Sequence, residues 1–180
     1  MKKIMRIMAM AVVAVAMAAG FASCSKSDDN SGITVPTGTM ATSAKLDMNI
    51  SFSDDILATC DITAYYIDSD GTKKTETVTS SPFKKEVSYN SLPVKVEYGF
   101  SVTPKSNVPE DKELDIIAKD NSSIYAVAGS KSKVVLSGHF TESAQGVPSS
   151  ELSSFIDQTY KNVTNSVTVT SIDLDRELKI

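Results

Sequence analysis

The segment from Lys45 to Phe52 alternates strictly between polar and apolar side chains, and this pattern constrains the fold more than any other feature of the chain. The apolar members are Leu46, Met48, Ile50 and Phe52, and the polar members are Lys45, Asp47, Asn49 and Ser51. Successive side chains of a β-strand point to opposite faces, so all four apolar side chains would share one face. The segment is therefore predicted to be a strand that buries one face in a core.

Much of the chain beyond this strand also has the composition of short strands. Stretches rich in β-branched and aromatic residues occur at 57–67, 72–79, 83–89, 94–103, 124–128, 133–140 and 167–174. A turn sequence, Asp68-Ser69-Asp70-Gly71, separates the first two of them and predicts a hairpin. The charged stretch 108–120 fits either a strand or a helical turn.

One helix is predicted late in the chain. Apolar side chains recur there at helical spacing, at Leu152, Phe155, Ile156, Tyr160 and Val163. Ser149 or Ser150 is suited to the N-cap position, because a serine hydroxyl can accept a hydrogen bond from a backbone N–H of the first turn. These features predict a helix over 151–162.

A resemblance to a known family favours a sandwich of two sheets. Leu92, Pro93, Tyr98, Phe100 and Val102 resemble the tyrosine-corner stretch of fibronectin type III domains and their immunoglobulin-like relatives. The resemblance implies an all-β fold, an immunoglobulin-like β-sandwich with one late helix. The number of strands and the late helix also fit a lipocalin-like up-and-down β-barrel, which would enclose a small hydrophobic ligand.

The N-terminal residues have the pattern of an export signal. Lys2, Lys3 and Arg6 form a basic start, and every residue from 7 to 22 is apolar or glycine. This apolar run is shorter than the roughly 20 residues that a membrane-spanning helix needs. A basic region, a short apolar region and small residues such as Ala22 are typical of a cleaved signal peptide.

The end of this signal resembles the lipobox of bacterial lipoproteins, in the sequence Phe21-Ala22-Ser23-Cys24. The resemblance implies that Cys24 is acylated with chains such as palmitate and becomes the first mature residue. The stretch 25–29 that follows resembles the acidic tag of lipoproteins exported to the outer face of the outer membrane. The expected location is the cell outer membrane, with a lipid anchor and the protein facing the exterior.

These features divide the chain into three parts. Residues 1–23 are the predicted signal peptide, 24–44 the acylated cysteine and a flexible tether, and 45–180 a single β-rich domain. The tether is rich in Ser, Thr, Gly, Asp and Asn and has too few apolar residues to offset the entropy of ordering. Loss of the three basic residues of the leader would change the formal net charge from −4 to −7, which disfavours nucleic acid as a partner.

The sequence contains no recognisable catalytic or cofactor-binding motif, so we predict a protein that is not an enzyme and has no cofactor. His139 is the only histidine, and Cys60 is the only cysteine of the predicted domain. A single histidine without a suitably spaced cysteine does not make a metal site. The pattern Ser-x-x-Lys occurs at Ser130 and Ser81, without the companion motifs of the penicillin-binding enzymes.

Two groups of carboxylates leave a different interpretation open. Asp173, Asp175 and Glu177 alternate, and on a strand they would share one face, where they could hold a hard cation or serve a hydrolase. The same pattern is typical of a solvated edge strand. Asp68 and Asp70 resemble the start of a calcium loop, but they also fit a plain hairpin turn.

Binding is the predicted function, with a glycan or a protein partner in a surface uptake or adhesion complex. Tyr65 and Tyr125 are the candidate ligand-binding residues, because exposed aromatic rings are platforms for sugars. Tyr65 lies on the same predicted outward face as Thr59, Asp61 and Thr63. The alternatives are a carrier of a small hydrophobic ligand and a carboxylate-dependent hydrolase.

Overall fold

The computed structural model describes residues 38–138 and 140–176. The predicted signal peptide, Cys24 and most of the tether therefore lie outside the described residues, as do His139 and Glu177. Within the described ranges, no helix is long and apolar enough to cross a membrane.

Ten strands and two short helices form in these ranges. The strands are β1 (Ser43–Phe52), β2 (Cys60–Ile67), β3 (Lys73–Val78), β4 (Phe83–Tyr89), β5 (Val94–Pro104), β6 (Glu113–Asp120), β7 (Ser123–Ala128), β8 (Lys131–Ser137), β9 (Phe140–Pro148) and β10 (Val163–Val169). The helices are α1 (Asp54–Thr59) and α2 (Leu152–Thr159), with one 3₁₀ turn (Ser149–Glu151) directly before α2.

The first sheet is built around β1, which has neighbours along both of its edges. On one side β4 pairs with β1 antiparallel over most of its length. On the other side β7 pairs with the beginning of β1 and β6 with its end, so β6 and β7 run as one long strand interrupted at Asn121 and Ser122. The strand β8 pairs with β7, and β9 pairs with β6. The four strands together therefore form one long hairpin.

The second sheet has four antiparallel strands in the order β10-β5-β2-β3. The strand β5 lies in its middle and pairs with β2 on one side and β10 on the other. The strands of the described residues thus divide into two sheets and do not close into one barrel. The predicted all-β sandwich with a late helix is confirmed, and the barrel alternative is wrong.

The core lies between the two sheets and is filled by the apolar faces of their strands. The four apolar side chains of the alternating segment, Leu46, Met48, Ile50 and Phe52, are all buried. The ring of Phe52 meets that of Phe100 edge to face, with centroids 5.2 Å apart, and Tyr160 lies 6.2 Å beyond Phe100. Leu152 and Ile156 of α2 complete this cluster.

Four predictions of local structure are wrong. The stretch 57–67 begins in the helix α1, in which Ile56 and Thr59 are buried, and only its second part is a strand. The residue at the N-cap of α2 is Glu151, and the two predicted serines lie in the 3₁₀ turn before it. The stretch 133–140 is divided between β8 and β9, most of which was not predicted. The final strand ends at Val169, before the acidic residues.

The expected tyrosine corner is also not formed. In such a corner the tyrosine hydroxyl bonds to backbone a few residues upstream. Here the hydroxyl of Tyr98 donates to the carboxylate of Asp120 in the other sheet, over 2.9 Å. The tyrosine therefore links the two sheets.

Candidate functional site

A surface groove of about 390 Å³ lies on the outer face of the first sheet, and Tyr125 is in its lining. Three adjacent strands contribute to it. The lining side chains are Lys45 and Asp47 of β1, Tyr125 and Val127 of β7, and Lys131 and Ser132 of β8. The groove therefore combines one aromatic ring and one branched apolar side chain with charged and hydroxyl groups.

The strand register explains why these side chains meet. Lys45 lies directly opposite Tyr125 across the β1–β7 pair, and Val134 of β8 lies opposite Tyr125 on its other side. The alternate residues of β1 and β7 face the core, so their neighbours must face outward. Val134 is 42% exposed and extends the apolar surface beside the ring.

A tight turn closes one end of the groove. Gly129 and Ser130 connect β7 to β8, whose flanking residues Ala128 and Lys131 are paired. Gly129 has a φ of 59°, in the left-handed region that two-residue hairpin turns require. The turn places the ammonium group of Lys131 at the end of the groove.

Both lysines of the groove are paired with carboxylates. The Nζ of Lys45 lies 2.9 Å from Glu86, and this hydrogen bond raises the pKa of Lys45. The Nζ of Lys131 donates to Asp175 over 2.7 Å and to the hydroxyl of Thr39 over 2.9 Å. These contacts tie the beginning and the end of the described chain to the β7–β8 turn.

Asp47 differs from the other charged groups of the groove. No hydrogen bond or ion pair joins its carboxylate to any other described residue. It pairs across the backbone with Ser123, and is thus the diagonal neighbour of Tyr125. Its charge nevertheless acts on Lys45, where it adds to the effect of Glu86 in raising the pKa of that lysine. Beside its aromatic ring the groove therefore contains one carboxylate that accepts no hydrogen bond from the described residues.

Tyr65, the second predicted contact residue, lies on the outer face of the other sheet. Its ring lies across Gly99, where an added Cβ would stand 2.8 Å from the ring. Its hydroxyl bonds to Thr164, and the Nζ of Lys73 lies 3.8 Å from the centre of the ring. The ring of Tyr65 thus contacts both Gly99 and Lys73. Because Tyr65 and Tyr125 lie on different sheets, the two tyrosines do not form one site.

The outward face predicted for Tyr65 is only partly as expected. Asp61 and Thr63 are exposed there, whereas Thr59 is buried at the end of α1. The covering of a strand glycine by a neighbouring aromatic ring is a recognised way to stabilise a sheet. The position of the Tyr65 ring over Gly99 therefore indicates a structural role in the second sheet.

The described members of the acidic stripe do not alternate on a strand. The carboxylate of Asp173 accepts from the backbone N–H of Asp175 over 2.9 Å and lies 3.4 Å from Arg176. Asp175 accepts from Lys131 and from the N–H of Thr39, and these contacts lower its pKa to about 2. The carboxylate of Asp175 thus joins its segment to Thr39 and Lys131, whereas the contacts of the Asp173 carboxylate stay within its own turn.

No cation site forms at the other predicted acidic position within the described residues. Asp70 accepts hydrogen bonds from the N–H and the hydroxyl of Thr72, which lower the pKa of its carboxyl group. Asp68 caps the same turn by accepting from Ser69. Across residues 38–138 and 140–176, no three His, Cys, Asp or Glu side chains are placed to hold a metal ion.

One buried polar cluster was not predicted. Asp120, only 1% exposed, accepts hydrogen bonds from the Tyr98 hydroxyl, the Asn165 side chain and the Ser122 N–H, each over 2.9 Å. It lies where the long strand β6–β7 is interrupted, and Gly138 lies against it where β8 ends. Two of its partners, Tyr98 and Asn165, lie 22 and 45 residues away in sequence, so no local pattern marks the cluster.

Comparison of the chain with protein-family models, with curated proteins and with solved structures gave no match. The geometry of the described residues is therefore the basis for a functional proposal.

Proposed function

We propose that the chain is a lipid-anchored binding protein on the exterior of the outer membrane, and that it binds a glycan in the groove around Tyr125. The single observation that carries the proposal is the groove itself. It presents the half-exposed ring of Tyr125 on a strand that is paired on both sides, with hydrogen-bonding groups around it. No catalytic step is part of the proposal.

The chemistry of the groove suits a sugar. One face of a pyranose ring is apolar and packs on an aromatic ring, while its hydroxyl groups need both donors and acceptors around the rim. Lys45, Lys131 and Ser132 supply donors, and Asp47 supplies an acceptor. Ligand sites of small molecules start at roughly 300 Å³, so a groove of 390 Å³ has room for a short saccharide.

The anchor is supported by the N-terminal sequence alone. Cys24 precedes Gly38, where the described domain begins, by 14 residues. A fully extended segment of that length spans about 50 Å, which is enough to hold the domain clear of the lipid headgroups. A surface location gives the groove access to extracellular glycans.

A protein partner is the second candidate, and the exposure of Val134 favours it. This side chain lies beside Tyr125 and widens the apolar surface beyond what a single sugar ring covers. A partner in an uptake or adhesion complex would bury both residues.

The test is a glycan-binding screen of the full-length protein with the variants Tyr125→Ala and Tyr65→Ala. A sugar face that covers roughly 60 Å² of apolar surface contributes about 1.5 kcal/mol, which is about tenfold in Kd. We expect Tyr125→Ala to weaken binding by at least about tenfold and Tyr65→Ala to leave it unchanged. Circular dichroism establishes that both variants are folded.

Two results would contradict the proposal. Loss of binding in Tyr65→Ala alone would move the site to the second sheet. Absence of binding to every glycan in the panel would leave the protein partner as the better explanation of the exposed surface.

A further inference from the structure

The charge balance of the groove points to the class of sugar that it takes. The two lysines in its lining are each within 3 Å of a carboxylate, at Glu86 (2.9 Å) and at Asp175 (2.7 Å). Asp47 makes no ion pair within 4 Å among the described residues, and the one cation on which its charge acts is Lys45, which is already bonded to Glu86. The lining itself carries two positive charges and one negative charge, and the two carboxylates that bond its lysines from outside bring the balance to two positive and three negative charges.

The position of Asp47 makes it a contact residue for anything that stacks on Tyr125. Lys45 is opposite Tyr125 in the β1–β7 pair and Asp47 is opposite Ser123, so Asp47 and Tyr125 are diagonal neighbours on one face. Such neighbours lie about 7 Å apart, roughly the width of one sugar ring with its hydroxyl groups. An ionised carboxylate only accepts hydrogen bonds, and its two oxygens can take two hydroxyl donors.

We propose that Asp47 makes the groove selective for uncharged, hydroxyl-rich sugars over acidic sugars such as uronic acids. The inference rests on the proposed function and names the ligand class of the same site. A neutral sugar donates its hydroxyl protons to Asp47. An acidic sugar brings a second carboxylate next to Asp47, and the two like charges repel each other.

The lysines of the groove do not reverse this preference. Both ion pairs are solvent-exposed, with side-chain exposures of 36% and 67% for Lys45 and Glu86. An acidic ligand can recruit either lysine only in competition with the carboxylate already bound to it. Asp47 faces the ligand in either case.

The experiment compares two ligands of equal length, a neutral hexose oligosaccharide and the corresponding oligouronate, on the full-length protein by titration calorimetry. The test variant is Asp47→Asn, which keeps the shape of the side chain and removes its charge. The matched control is Asp61→Asn, because Asp61 is an exposed residue on the outer face of the second sheet. Both variants change the net charge by the same amount.

We expect the wild-type protein to bind the neutral ligand at least about tenfold more tightly than the oligouronate, since a hydrogen bond to a charged acceptor has about that effect on Kd. Asp47→Asn should lower this ratio towards about one, because it weakens the hydrogen bonds to the neutral ligand and removes the repulsion of the oligouronate. Asp61→Asn should leave the ratio unchanged.

Three outcomes overturn the inference. Preference of the wild-type protein for the oligouronate overturns it and leaves the glycan-binding proposal intact. An unchanged ratio in a folded Asp47→Asn variant does the same. Absence of binding to both ligands overturns the proposed function together with this inference.

Discussion

Replacement of Asp120 by alanine is the sharpest test of what holds the two sheets together. The carboxylate is buried at the interruption between β6 and β7 and accepts three hydrogen bonds, from Tyr98, Asn165 and the N–H of Ser122. Two of these partners, Tyr98 and Asn165, belong to the second sheet. The variant Asp120→Ala therefore removes one acceptor and leaves donors of both sheets without a partner.

The expected loss of stability follows from the burial of those donors. A buried donor that loses its partner costs about 1–3 kcal/mol. The hydroxyl of Tyr98 is on a fully buried residue, and the Ser122 N–H is buried as well, whereas Asn165 is half-buried and can reach water. We therefore expect Asp120→Ala to lower the free energy of unfolding by about 3–5 kcal/mol.

A second, more conservative variant measures the contribution of a single donor to the cluster. Tyr98→Phe removes one donor and leaves Asp120 with two, so it should cost only about 1–1.5 kcal/mol. The burial of its aromatic ring is retained in this variant. A larger loss of stability in Asp120→Ala than in Tyr98→Phe would show that the carboxylate satisfies several donors. Equal losses would show that only the hydrogen bond to Tyr98 matters.

The assay is urea-induced unfolding followed by circular dichroism, with Asp61→Ala as the surface control. Exposed substitutions usually change stability by less than about 0.5 kcal/mol, so the control should stay close to wild type. A loss of under 1 kcal/mol for Asp120→Ala would refute the reasoning. It would mean that water replaces the carboxylate and that the sheets do not depend on this cluster.

Two further predictions concern the ends of the chain. Cys24→Ala should abolish labelling by radioactive palmitate and move the protein from the membrane fraction to the soluble fraction; labelling that persists in this variant would exclude Cys24 as the anchor. Lys131 and Thr39 lower the pKa of Asp175 to about 2. Between about pH 4 and pH 2 the folded state therefore binds fewer protons than the unfolded state. The stability that this carboxylate contributes is lost as the pH falls through this range. Asp175→Asn should reduce this acid-induced loss while Asp61→Asn should not, as measured by urea unfolding at pH 5 and pH 2.5; identical curves for both variants would contradict the assignment.

The parts of the fold that the sequence predicts are those determined by short-range alternation. The segment from Lys45 to Phe52 was predicted as a half-buried strand, and its apolar side chains are indeed inside. The strand at 83–89 has the predicted bounds. In β1 the two faces of the strand differ so clearly in polarity that no tertiary information is needed. In β4 the inward face also carries Lys85, which bonds to Glu76.

Two parts of the fold do not follow from the predicted pattern, the helix α1 and the division of the long hairpin into four strands. The sequence pattern predicts a strand where the end of α1 forms, because Leu57 and Ala58 continue the apolar run that leads into β2. Two acidic residues, Asp54 and Asp55, occupy its first turn and favour a helix there. The division of the long hairpin into four strands depends on the cluster around Asp120, whose partners lie between 2 and 45 residues away in sequence.

The candidate site follows the same division: its local features can be predicted from the sequence, whereas its contacts between distant residues cannot. The outward position of Tyr125 follows from the alternation of β7, but the pairing of Lys131 with Asp175 spans 44 residues and has no local signature. For the same reason, the sequence could not show that Lys73 and Gly99 would cover Tyr65.

The composition of the groove is a consequence of the core on the other side of the sheet. Leu46 pairs with Ile124 and Ala44 with Ala126, and all four side chains are buried. A slip of one residue in this register would turn them outward and bring Tyr125 and its neighbours into the core. The register is therefore fixed, because any slip would expose the buried core. Tyr125, Lys45 and Asp47 consequently have fixed relative positions before any ligand binds. Because a rigid platform loses little conformational entropy on binding, even a small number of contacts in this groove can contribute to affinity.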